Sequence, residues 1–113
     1  PQLAIECKLT KEGITWQNLK TVEEFAPFGV ANPEPLFLTR NMFVEDVRCV
    51  GSENQHLKLQ IDGFDAIGFN LGQLRSQIRP GHQLDLVYNL VRDYYSGDGQ
   101  FQLKIKDLAV NSF

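Results

Sequence analysis

Cysteine is scarce here: Cys7 and Cys49 are the only two among 113 residues. They lie far apart, form no Cys-x-x-Cys pair, and sit among apolar neighbours in AIECKL and VRCVG. That context predicts two buried free thiols, as expected in a reducing cytoplasm. No apolar run approaches the ~20 residues of a membrane-spanning helix. The opening PQLAIECKLT has no basic n-region and no apolar h-region, so it does not read as a signal peptide. It begins without Met in a strand-like stretch, which reads as a cut inside a longer protein. Excess positive charge is also missing. Eleven Lys and Arg face fourteen Asp and Glu, a net charge of −3. A general polyanion binder is usually basic, although affinity for a strand depends on where the cations sit. His56 and His82, the two histidines, fall on different predicted strands, too few and too dispersed for a metal centre.

What is present is ordinary for one soluble domain: 42% hydrophobic and 22% charged residues. A chain this long buries roughly two-thirds of its unfolded surface, enough for a core without staples.

Residues 3–8 carry a short apolar strand signal, and KEG at 11–13 reads as a turn. Trp16, Leu19, Val22 and Phe25 then recur at helical spacing, with Thr15 as N-cap and Pro27 as the stop. PFGVANPEP, residues 27–35, is a rigid connector. The domain boundary is placed there, with 1–28 as a strand and connecting helix from an upstream domain and 29–113 as an all-β domain. Residues 36–50 predict a long strand, bent or bulged because no single alternation runs its length. HLKLQI (56–61) alternates cleanly, Asp62-Gly63 signals a tight hairpin, and 64–71 is the next strand. GQLRSQI (72–78) predicts a short helix ended by Pro80-Gly81. Residues 82–91 place Leu84, Leu86, Tyr88 and Leu90 on one face. After the polar and aromatic loop 92–100, the final strand (101–110) points Phe101, Leu103 and Ile105 inward. The order β-β-β-α-β-β is that of a five-stranded oligonucleotide-binding (OB) barrel, in an all-β class. Another small barrel or sandwich would also fit the pattern.

Four stretches carry a resemblance. PFGVANPEPLF (27–37), HLKL (56–59), DAIGFNLGQL (65–74) and YYSGDGQFQLKIKDL (94–108) occur in the order and spacing of the C-terminal OB domain of RecJ-family exonucleases. Two positions depart from the family pattern. Ala31 stands where Gly is usual, which would be strained if that position required positive φ. Asp98-Gly99 stands where basic residues often follow Gly97. The resemblance implies a parent enzyme that degrades single-stranded DNA from the 5′ end, in DNA repair and recombination. It implies manganese or magnesium held by a DHH motif and other residues in upstream catalytic domains. This chain has no DHH, so hydrolysis by the segment alone is not expected, and no cofactor is expected within it.

A single-strand groove needs cations for phosphates and flat faces for bases. The candidates are Arg92, Tyr94, Tyr95 and Ser96 in the last loop, where Tyr95 aligns with an aromatic position of the resemblance. His56 and Lys58 on the second barrel strand, Lys104 and Lys106 on the last, and Arg40 and Arg48 on the first complete the set. Each has a plainer reading. A Tyr can cover a barrel end, and alternating polar residues can be a solvated sheet face. Phe37, Phe43, Phe64, Phe69 and Phe101 are expected in the core, and Trp16 as a packing anchor. The expected partners are single-stranded DNA and the upstream domains, with no membrane, and weak pairing of two copies through exposed apolar surface. The alternative function is a structural or protein-docking barrel, which the acidic balance favours and which fold alone cannot exclude.

Overall fold

A computed structural model describes residues 7–94, 96 and 99–111. β1 (Cys7–Lys8) is followed by a 3-10 turn (Lys11–Gly13) and α1 (Trp16–Glu23). Residues 3–6 of the expected first strand lie outside the described residues. Thr15 is extended and its hydroxyl accepts from the Asn18 N–H at 3.1 Å, capping α1 as its position predicts. Leu19 and Val22 form the buried stripe of the helix, which ends at Glu23, a turn before Pro27.

The barrel strands are β2 (Phe37–Val50), β3 (His56–Ile61), β4 (Phe64–Gly68), β5 (Gln83–Arg92) and β6 (Phe101–Asn111). The pairing order is β1-β2-β3-β4-β6-β5, and β2 also pairs with β5, which closes the barrel. One strand can serve two neighbours because β2 bends. Its first half pairs antiparallel with β5 and its second half with β3, with register breaks at Thr39/Met42 and Val44/Asp46. Asn41, at φ 58°, makes the first of these turns. The other seam is a short parallel contact between β4 and β6, Ala66↔Leu103 and Ile67↔Lys104. The β3–β4 hairpin turns at Asp62 (φ 47°) and Gly63 (φ 80°), a pair of left-handed residues suited to a tight two-residue turn.

Leu57, Leu59 and Ile61 of β3, and Leu84, Leu86, Tyr88 and Leu90 of β5, fill the core, so the period-two pattern of both strands holds. Several expectations are corrected. The strand predicted over 64–71 ends at Gly68, because Asn70 adopts φ 60° and turns the chain. The short helix before β5 is a 3-10 helix, Gly72–Gln77. Cys7 is exposed and Cys49 half-buried, so neither thiol is the core residue its apolar neighbours suggested, and both are free. Phe37 is buried and Phe64 and Phe101 are half-buried, but Phe43 and Phe69 are 44% and 48% exposed. Ala31 is not among the positive-φ positions, so the Gly-to-Ala departure carries no strain.

Packing runs across the connector at 28/29. Ile14, Leu19 and Val22 join one core with Leu90 and Tyr88. Arg92 donates to both carboxylate oxygens of Glu23, at 2.7 and 3.0 Å, and its guanidinium lies 5.0 Å from the Trp16 ring. Trp16 in turn meets Phe101 edge-on at 5.3 Å. The connector is rigid for a stated reason. Gly29 and Asn32 exchange two backbone hydrogen bonds, and the Asn32 amide donates to the carbonyls of Phe25 and Pro27.

Candidate nucleic-acid interface

Sheet register sets what stands beside what on the outer face of the barrel. Arg48 pairs with Lys58, Lys58 with Ile67, and Ile67 with Lys104. These four residues therefore form one row across β2, β3, β4 and β6. At about 4.8 Å per strand, Lys58 and Lys104 stand about 10 Å apart with Ile67 between them. Among the described residues, no carboxylate lies within ion-pair distance of Lys58 or Lys104, while Arg48 meets Asp46 at 3.5 Å in the open. Such an exposed pair is worth little and yields readily to a phosphate.

A second row flanks the first on the side of the loop 51–55. The His56 and Phe69 rings meet edge-on at 5.2 Å, and the Lys104 ammonium lies 5.8 Å from the Phe69 ring. His56 Nδ1 accepts from the Asn70 N–H at 3.0 Å, which leaves Nε2 as the ring's donor. Gly72 holds this corner together. Its N–H donates to the Gln55 carbonyl, and an added Cβ would lie 2.4 Å from the Asn54 carbonyl oxygen, so only glycine lets the 51–55 turn sit against the 3-10 helix.

A third row on the hairpin side has the opposite character. Asp46 pairs with Gln60, and Gln60 with Asp65, whose carboxylate accepts from the Gln60 amide. Glu45 accepts from Gly63 N–H, and Asp62 is paired with Lys11 at 2.9 Å. The face thus carries a cationic row between an aromatic edge and an acidic edge. Cations for phosphates beside a ring for a base are the parts a single-strand groove combines, and this is the face OB barrels offer to oligonucleotides.

The candidate residues divide accordingly. Arg48, His56, Lys58 and Lys104 come together on this face. Tyr94 is 83% exposed in the loop after β5, and the Ser96 N–H donates to the Asp93 carboxylate at 3.3 Å. Tyr95 lies outside the described residues. Lys106, at the register break of β6, lines a separate recess with Glu34 and Asn89. Arg40 is on the bent half of β2, paired with Asp85 at 3.2 Å. Burial raises the Asp85 carboxyl, but hydrogen bonds from the Asn111 amide and Asn41 N–H, with the charge of Arg40, outweigh it and hold the group below its ordinary value. Arg92 is engaged by Glu23, whose hydrogen bond raises the guanidinium further.

Phe69 and Ile67 were missed as surface residues. The signal was available: with Ala66 and Gly68 facing inward, period two turns both outward.

No group of three or more His, Cys, Asp or Glu side chains among the described residues is arranged to hold a metal ion. His82 Nδ1 is occupied by the Arg79 N–H, and His56 Nδ1 by Asn70. The described residues do not fit a metal centre.

Known proteins fit this architecture. The family profile described as the RecJ OB domain matches residues 5–107. The single-stranded-DNA-specific exonuclease RecJ of Bacillus subtilis (strain 168) is 34% identical over 106 residues, covering 90% of this chain and 14% of that protein. RecJ of Thermus thermophilus, solved in complex with Mn2+, superposes with a TM-score of 0.74 at 23% identity, over 98% of this chain and 16% of that one. A putative aspartyl-tRNA synthetase from Leishmania major Friedlin shares the fold more distantly, with a TM-score of 0.59 at 13% identity, over 94% of this chain and 21% of that one. The chain spans about one-seventh of the curated relative it matches. With its strand order, its connector and its sequence all agreeing, this chain belongs to the RecJ OB domain family.

Proposed function

We propose that this chain is the single-stranded-DNA-binding module of a RecJ-type exonuclease and grips its substrate without sequence preference. The observation that carries the reading is the Arg48–Lys58–Ile67–Lys104 row with Phe69 beside it. Phosphates lie along the cations, and a base stacks on Phe69. The exonuclease chemistry, with manganese or magnesium, belongs to other domains of the parent protein, which works in the cytoplasm in DNA repair and recombination.

The test is amide chemical-shift mapping of the 113-residue chain against oligo-dT at low salt. Shifts should concentrate at Lys58, Ile67, Phe69 and Lys104 and spare the Arg40–Asp85 region. No shifts, or shifts confined to the connector, would contradict the reading.

A second reading, a protein-docking surface, is favoured by the connector alone. Phe25 is 63% exposed and Val30 fully so, on a turn that Asn32 holds rigid. We assign that surface to contact with a neighbouring domain of the parent chain, since none of its residues belongs to the cationic row.

A further inference from the structure

The cationic row and the acidic row beside it run parallel. On three strands they are separated by two residues of the same face: Arg48 and Asp46 on β2, Lys58 and Gln60 on β3, Ile67 and Asp65 on β4. At about 3.3 Å per residue, the rows stand about 7 Å apart. The Asp46 side chain is 55% exposed. Asp65 is half-buried, and the Gln60 amide donates to its carboxylate. Toward the hairpin, Glu45 and Asp62 extend the negative edge, with Lys11 offsetting Asp62. Gripping a single strand does not require these carboxylates, since the cations serve its backbone and Phe69 its base.

We propose that Asp46 and Asp65 make this face select a single strand over a duplex, by turning away the second backbone. The inference rests on the reading of the face as a single-strand interface and adds what that face refuses. In a duplex the second backbone runs beside the first, across a groove about 6 or about 12 Å wide. With one backbone seated on Lys58 and Lys104, the other has two sides on which to lie. On the hairpin side it passes over Asp46 and Asp65, where phosphate meets carboxylate and like charges repel. On the other side stands Phe69. A base that is paired and stacked within a duplex has no free face for that ring, so the stacking contribution is lost. A lone strand suffers neither cost, because its backbone follows the cations and its bases turn to Phe69. No base is distinguished from another. The selection is between one strand and two, and is indifferent to sequence.

The experiment titrates labelled oligo-dT and a labelled blunt duplex of equal length with the 113-residue chain at low salt, reading anisotropy. The readout is the ratio of the two affinities, because neutralising Asp46 also frees Arg48 and strengthens binding to either DNA. The wild-type chain should prefer oligo-dT by about tenfold or more, and in Asp46→Asn/Asp65→Asn that preference should fall by about five- to tenfold, the effect of removing two exposed like-charge contacts. Glu12→Gln/Glu24→Gln makes the same change in net charge at two exposed residues outside the rows, neither in an ion pair among the described residues. It should keep the wild-type ratio. Retained oligo-dT binding shows that each variant is folded. Equal wild-type affinity for the two DNAs, an unchanged ratio in Asp46→Asn/Asp65→Asn, or the same fall in Glu12→Gln/Glu24→Gln would overturn this inference and leave the binding of single strands standing. Failure to bind either DNA would overturn both.

Discussion

Arg92 and Lys58 carry the same charge to different ends. Arg92 is fixed between Glu23 and the Trp16 ring, a planar fork matched to a carboxylate 69 positions away in sequence. Lys58 stands half-exposed with no ion-pair partner among the described residues. Nothing local in RDYYS distinguishes a structural Arg from one that binds phosphate, because the distinction lies in Glu23. Phe69 is the converse case. Its residue type suggests core, while its place in the alternation puts it outside, under Lys104. Since the ring is about half exposed, removing it costs little packing. Phe69→Ala should weaken oligo-dT binding about tenfold, in the range of one lost stacking contact, and leave the thermal midpoint nearly unchanged. Parallel anisotropy and melting measurements check this. A large drop in melting temperature with unchanged affinity would assign Phe69 to the fold instead.

The strands with clean alternation, β3 and β5, were legible from sequence because a period of two fixes which side is buried. Bends were legible only as the absence of such a pattern. In β2 the prediction of a bent strand holds, but the positions of its breaks depend on Asn41 and on which neighbour each half finds. The joint between β2 and β5 is where the barrel closes, and one buried hydrogen bond lies inside it, Thr39 Oγ1 to Tyr88 Oη at 2.8 Å. Burial pushes the Tyr88 phenol up to about 12, against a smaller opposing effect of the Thr39 hydrogen bond. A phenol whose folded pKa exceeds its unfolded value of about 10 favours the fold while both states stay protonated. That contribution is present in full below pH ~10 and is lost as pH rises toward 12. Tyr88→Phe should therefore cost roughly 1–3 kcal/mol at neutral pH, by leaving Thr39 unpartnered in the core. It should also flatten the loss of stability between about pH 10 and 12. Urea melts of both proteins across that range test it, and an unchanged alkaline slope would show that Tyr88 does not govern it. At the same scale, the predicted boundary at 28/29 follows a change of pattern from helix to strands. A pattern of this kind does not show that α1 packs into the barrel core through Leu19 and Val22, a contact made by residues far apart in sequence.

At the scale of the whole molecule, a net charge of −3 conceals an ordered surface. Register gathers cations into one row and carboxylates into the next, so the average over the chain understates the local field. In the sequence, Lys58 and Lys104 are separate candidates on separate strands. Only the parallel β4–β6 seam, which alternation does not predict, places them on either side of Ile67. The most direct test is the salt dependence of oligo-dT binding by fluorescence anisotropy, for the wild-type chain, Lys58→Ala and Lys104→Ala. Three cations engaging phosphates predict a log–log slope near −2, from about −0.7 per phosphate, with each variant shallower by about 0.7. A slope near zero, or variants that keep the full slope, would contradict the assignment of single-stranded DNA to this face.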